Sequence, residues 1–294
     1  MVPLFLFYFS IHIFLFTFFS LNDEYPSTMS ANGNDEPIHY APPTGKPLGT
    51  NNYFRFGASI VIPLLHLLAK RDWRGVENLP KTGAVIVVSN HISYLDPLVF
   101  AHYLYKNGRA PRFLGKAGVF KIPIIGRIIA GSGQVPVERE SANASQALVH
   151  AVAFLKAGHC LGVYPEGTLT RDENIWPMKA KTGIARLAIL AQVPVIPCAQ
   201  WGAEAILPPY SKRPHLFPRK TVHVRAGKAL EFSRWAGREN DPIALEEATA
   251  YVMAAITREL EEIRGEKAPA EIFDPHLSSL PRIGNFKKKK GESR

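Results

Sequence analysis

The sequence has only two cysteines in 294 residues, Cys160 and Cys198, both inside apolar, strand-like runs. That excludes a disulfide framework and makes a reducing setting the expectation. The histidines at 102, 150, 159, 215 and 223 never fall at H-x-x-x-H or H-E-x-x-H spacing. No metal centre is therefore expected, and no cofactor is called for. There is no G-x-S-x-G elbow to present a nucleophilic serine, no P-loop, and GSGQVP (131–136) is not a dinucleotide-binding fingerprint. Nucleic-acid binding finds no zinc finger, no aromatic RNA-binding box and no basic helix with a dimerising heptad. Acidic residues are the scarcer charge, 25 Asp and Glu against 35 Lys and Arg, a formal charge of +10. With nucleic acid set aside, such a surplus points to an anionic membrane or a phosphorylated small molecule.

What is present is a folded-protein composition, 46% hydrophobic and 20% charged. Four regions follow from it. Residues 1–28 open with an uncharged, almost wholly apolar stretch of about the ~20 residues a membrane helix needs. It reads either as a signal anchor or as an upstream extension, since Met29 opens an ordinary polar leader. Residues 29–52 read as flexible leader, being rich in Pro, Gly, Asn, Ser and Thr. Residues 53–265 form the main domain, and 266–294 a polar, Pro-containing tail ending in a lysine run at 287–290. Within 53–72, the uncharged run Phe56 to Ala69 is too short to span a bilayer and contains Pro63. It suits a helix lying at a membrane interface, with Lys70, Arg71 and Arg74 at its end; an ordinary buried helix is the alternative.

Inside the domain, short β-branched runs alternate with helical ones. Strands are predicted at 84–89, 159–165, 193–201 and 221–230, and helices at 97–108, 145–158, 182–192 and 243–265. That order implies an α/β fold with a mainly parallel sheet and flanking helices. In such sheets ligands bind beyond the carboxyl ends of the strands. Two polar clusters fall there: Asn90-His91-Ile92-Ser93 and Pro165-Glu166-Gly167-Thr168.

His91 and Asp96 are five residues apart. On one continuous helix their side chains would diverge. They meet only if the chain turns between them, and Asp96-Pro97 looks like an N-cap with a first-turn proline. Spacing alone leaves two readings open. Asp96 is a helix cap and His91 a strand-end residue, or the pair is a base with its orienting carboxylate, acting on a substrate hydroxyl.

NHISYLD (90–96) and YPEGT (164–168) resemble the N-H-x-x-x-x-D and P-E-G-T blocks of the glycerolipid acyltransferases, the family that includes 1-acylglycerol-3-phosphate acyltransferase. GKAGVFKIPIIGRIIAGSGQVPVER (115–139) is similar to the block between them, and VPVIPCA (193–199) to a later apolar one. The resemblance covers roughly residues 70–230, with four blocks in order. It implies an O-acyltransferase that moves an acyl chain from acyl-CoA or acyl carrier protein to a lysophospholipid, with 1-acylglycerol-3-phosphate, giving phosphatidic acid, as the expected acceptor. His91 would be the general base and Asp96 its orienting partner. Arg139 would bind the acceptor phosphate, helped by Lys116. Glu166 would position the acceptor, and the Gly167-Thr168 turn would present N–H groups to an anionic oxygen. Pro197 would shape the wall of the site.

Two departures bear on the acceptor. Leu169 stands where the family commonly has arginine; either Arg171, two positions later, replaces that charge or the acceptor phosphate is held differently. Pro136 stands where an aromatic or aliphatic residue is usual. The expected location is the cytoplasmic face of the cell membrane, peripheral or singly anchored. Three other readings remain: an acyltransferase for another glycerolipid or polar lipid acceptor, a lipid hydrolase on the same dyad, and a non-catalytic membrane-binding module.

Overall fold

The computed structural model describes residues 38–137, 144–275 and 277–278. In chain order the first half contains α1 (Asn52–Leu68), β1 (Ala69–Arg74), β2 (Val85–Ser89), α2 (Asp96–Lys106) and β3 (Pro111–Lys116). Then come α3 (Ala117–Phe120), α4 (Ile125–Gly131), β4 (Val135–Val137), α5 (Ala144–Lys156) and β5 (Cys160–Val163). The second half contains α6 (Gly183–Ala191), β6 (Val195–Trp201), α7 (Ala203–Ile206), β7 (Lys220–Ala226) and α8 (Pro242–Arg264).

The strands form one seven-stranded sheet in the order β1-β7-β6-β2-β5-β3-β4. Every neighbouring pair is parallel except β6 with β7. β2 lies at the centre and all five of its residues are buried, which is why it reads as a β-branched run rather than an alternation. Its pleat still sorts the two faces. Val85 and Val87 join a cluster with α1 and α2 through Leu65, Leu68, Phe100 and Tyr103. Ile86 and Val88 join the opposite cluster with α5, α6 and α8 through Phe154, Leu187 and Ile256.

Three strands escape the sequence reading. Residues 69–74, expected as the end of a helix, form β1. The helix stops at Leu68, and Lys70 and Arg71 sit on an edge strand paired in register with Thr221 and Val222. β3 contains no β-branched residue, so propensity does not mark it. It forms because β5 offers Gly162 opposite Phe113: a Cβ on Gly162 would lie 2.2 Å from the Phe113 ring. The short β4 holds Pro136, tolerated because the strand is an edge.

The regions expected to be loose are packed where they are described. Ala110 N–H donates to Leu48 O and Leu48 N–H to Gly108 O, and the Tyr40 ring stacks on Phe154 at 3.8 Å. At the other end, Lys179 N–H donates to Phe273 O, and Lys179 Nζ pairs with Asp274 at 3.1 Å. Composition marks such segments by their turn residues and does not record that their backbones bond to the domain.

α1 starts at a side-chain cap, Asn51 Oδ1 accepting from Phe54 N–H at 2.9 Å. Leu65 and Leu68 face the core, whereas Tyr53, Phe56, Ile60 and Leu67 are each more than half exposed. Their spacing places them along one face of the helix. Ile124, 70% exposed, stands at the start of α4, which packs against α1. No helix among the described residues is long and apolar enough to cross a membrane. The apolar segment and early leader at 1–37 and the lysine run at 287–290 lie outside the described residues.

Candidate active site

β2 delivers His91 to the carboxyl edge of the sheet, and the chain then turns before α2. Asn90 fixes that turn to β6. Its Nδ2 donates to Gln200 O at 3.0 Å and its Oδ1 accepts from Gln200 N–H at 2.8 Å. Ser93 Oγ donates to Leu207 O at 2.8 Å. Asp96 is the first helical residue rather than the cap, which is Leu95. Its carboxylate bends back over the turn, where Oδ2 accepts from His91 Nδ1 at 2.9 Å, Ile92 N–H at 2.6 Å and Ser93 N–H at 2.7 Å. The aspartate is wholly buried. One oxygen thus shapes the turn and holds the imidazole together.

With Nδ1 donating to a carboxylate, Nε2 carries the imidazole lone pair and is the nitrogen able to take a proton. The His91 side chain remains 12% exposed. Tyr164, the last residue before PEGT, stacks on the ring at 4.3 Å and 23°, and Gln200 Nε2 reaches its hydroxyl at 3.4 Å.

The second cluster closes on the first. Glu166 is buried, with Oε1 accepting from His91 N–H at 3.0 Å and Oε2 from Met178 N–H at 3.2 Å. Burial pushes its carboxyl up to about 8, against the pull of those two N–H bonds. Thr170 N–H donates to His91 O at 2.7 Å, so both backbone groups of His91 are held by this cluster. Gly167 takes φ +70°, as its turn requires, and its N–H donates to Tyr164 O at 3.0 Å. Thr168 hydrogen-bonds the Tyr210 side chain, and Tyr210 Oη donates to Leu169 O at 2.7 Å.

Leu169 and Arg171 are both buried, and the Arg171 guanidinium lies 5.6 Å from the Tyr210 ring centroid. Lys116 is exposed at the carboxyl end of β3, two strands from β2 on the same edge, paired with Val137. Arg139 lies outside the described residues. Pro197 is buried in β6 opposite Val88. The structure therefore brings His91, Asp96, Glu166, Gly167 and Thr168 into one assembly, with Lys116 two strands away on the same edge of the sheet.

Tyr164, Thr170, Met178 and Gln200 were not legible as site residues. Three of them act wholly or partly through backbone groups, which no side-chain pattern reveals. A second pair makes the contrast. His223 Nδ1 bonds Asp72 at the same 2.9 Å, but Asp72 also holds Arg74, and the pair lies across the edge strand β1 and its neighbour β7. A His–Asp contact alone does not make a site.

The region that carries this assembly is similar to known proteins. Residues 70–201 match the family model described as Acyltransferase. A chloroplastic 1-acyl-sn-glycerol-3-phosphate acyltransferase from Brassica napus is 34% identical over 141 residues, 47% of this chain and 39% of the relative. A 1-acyl-sn-glycerol-3-phosphate acyltransferase from Borreliella burgdorferi is 31% identical over 126 residues, 42% of this chain and 48% of the relative. The chain thus spans less than half the length of these relatives. The crystal structure of the 1-acyl-sn-glycerophosphate (LPA) acyltransferase PlsC from Thermotoga maritima shares the fold, with a TM-score of 0.55 at 22% identity over 73% of this chain and 81% of that one. In matched region, ordered motif blocks and fold, this chain is similar to the acyltransferases.

Proposed function

We propose that the protein transfers a fatty acyl group from the thioester of acyl-CoA or acyl carrier protein to the free hydroxyl of a lysophospholipid, 1-acylglycerol-3-phosphate, giving phosphatidic acid. The observation that carries this is the imidazole of His91, anchored at Nδ1 by Asp96 and free to act at Nε2. Nε2 takes the acceptor's hydroxyl proton while that oxygen attacks the thioester carbonyl. The tetrahedral intermediate then expels the thiolate, which takes the proton back from Nε2–H, so the imidazole ends as it began. Asp96 stabilises the transient imidazolium. The hydroxyl of Ser93 is engaged with Leu207 O, and Cys160 and Cys198 are buried within strands, so this reading makes the acceptor itself the nucleophile.

The acceptor's phosphate is assigned to Arg139 and Lys116, because guanidinium and ammonium groups suit phosphate oxygens, whereas Arg171 is buried against Tyr210. Glu166 contributes from the protein side: both its oxygens bond the chain's own N–H groups. No metal or organic cofactor enters the scheme. The names of the relatives support lysophosphatidic acid as acceptor.

The test supplies labelled oleoyl-CoA with lysophosphatidic acid or with an unphosphorylated monoacylglycerol. Label in phosphatidic acid, with the monoacylglycerol a poor acceptor, is the expected result. Label in free fatty acid alone would make the protein a hydrolase.

The site also has to reach lipid. We assign the exposed row Tyr53, Phe56, Ile60 and Leu67 on α1 to the membrane interface, at the cytoplasmic face of the cell membrane, next to the cations Lys70 and Arg71. Replacing Phe56 and Ile60 together by Asp is expected to abolish co-sedimentation with phosphatidylglycerol-containing vesicles. The fold should be kept, because neither side chain is in the core. Undiminished co-sedimentation would remove α1 from that role.

A further inference from the structure

We propose that Arg264, outside the region matched to the family, is a positioning residue for His91; this rests on the reading of His91 as the base. Arg264 is the last residue of α8, and its side chain is 11% exposed. Its guanidinium lies between two indoles, 3.9 Å from the Trp176 ring centroid and 4.3 Å from that of Trp201. Its Nη1 donates to Asn174 O at 2.9 Å, and Glu266 pairs with the guanidinium from the following turn.

The residue after that held carbonyl is Ile175, at φ +64°. A β-branched side chain in the left-handed region is strained, and such a conformation persists only where its surroundings over-determine it. Asp172 Oδ1 binds the turn from within, accepting from Asn174 N–H and Trp176 N–H at 3.0 Å each. Arg264 binds it from outside, to the end of α8.

From this turn two paths lead to His91. Trp176 O accepts from Thr170 Oγ1 at 2.7 Å, and Thr170 N–H donates to His91 O at 2.7 Å. Two residues past Trp176, Met178 N–H reaches Glu166, whose other oxygen holds His91 N–H. The peptide groups on both sides of the base are therefore set by a loop whose strained turn is held by one cation. A shift at Asn174 passes to the imidazole without touching either substrate. The effect falls on the chemical step and leaves binding unchanged.

The test compares the wild type with Arg264→Met, which fills the cage without charge or fork, and Arg264→Lys, which restores charge alone. The expected result is a kcat at least tenfold lower in Arg264→Met, an intermediate kcat in Arg264→Lys, and KM values for donor and acceptor within twofold of wild type. Amide exchange at Thr170, Trp176 and Met178 should accelerate. Combined with Glu166→Gln, Arg264→Met should cost less than the product of the two single losses, because one of its two paths runs through Glu166. A folded Arg264→Met with wild-type kcat, a raised KM at unchanged kcat, or losses that multiply with Glu166→Gln would each overturn the proposal. Should Arg264→Met not fold, Arg264→Lys is read by the same criteria. Wild-type transfer that survives His91→Ala would overturn the base reading instead, and the exchange rates would still report whether Arg264 holds the loop.

Discussion

Replacing His91 by alanine is expected to lower the rate of acyl transfer about 10²–10⁴-fold, the usual worth of a general base. That corresponds to about 3–5 kcal/mol of transition-state stabilisation. The fold should hardly notice, because the turn does not hang on the imidazole. His91 N–H still meets Glu166, its carbonyl still meets Thr170, and Asp96 keeps the N–H groups of Ile92 and Ser93. The stacked Tyr164 loses its partner, a cost of about 1 kcal/mol. Turnover and thermal unfolding measured on one preparation check this. A near-native melting temperature with lost turnover is the expected pair. Unchanged turnover would reduce NHISYLD to a strand end and a helix start.

Asp96 is expected to separate the two parts of its role according to what replaces it. Asparagine can place its carbonyl oxygen where Oδ2 lies and keep all three N–H donors. Its amide NH₂ then falls at the position of Oδ1, which is buried and has no partner. That costs about 1–3 kcal/mol of stability. What disappears is the negative charge facing the imidazolium, so Asp96→Asn should lose rate on the scale of His91→Ala while still folding. Alanine removes charge and turn together, and Asp96→Ala should lose rate and melt well below Asp96→Asn. Equal melting temperatures for the two variants would mean that the carboxylate does not hold the turn.

The contrast between these variants mirrors what could be read from the sequence. The central strands were legible because β2, β5 and β6 are buried runs, and His91, Asp96 and PEGT because they sit where such runs end. What stayed hidden depends on contacts that no local pattern carries. Phe113 becomes a strand residue through Gly162, Asn90 finds Gln200 across the sheet, and Glu166 turns its carboxylate to the chain's own backbone. Asp96 was legible as a helix start, and the structure adds that the same oxygen binds the histidine. Arg264 gives no sequence signal, being one cation among many until the fold places it between two tryptophans.

If His91 is the base proposed above, it acts on the acceptor's hydroxyl directly and never carries the acyl group. The most direct measurement mixes stoichiometric enzyme with acyl-CoA, first without and then with lysophosphatidic acid, and follows free CoA. No burst of CoA is expected until the acceptor is added, and then equal amounts of CoA and phosphatidic acid. One equivalent of CoA released with enzyme alone, and an acyl group left on the protein, would contradict that reading.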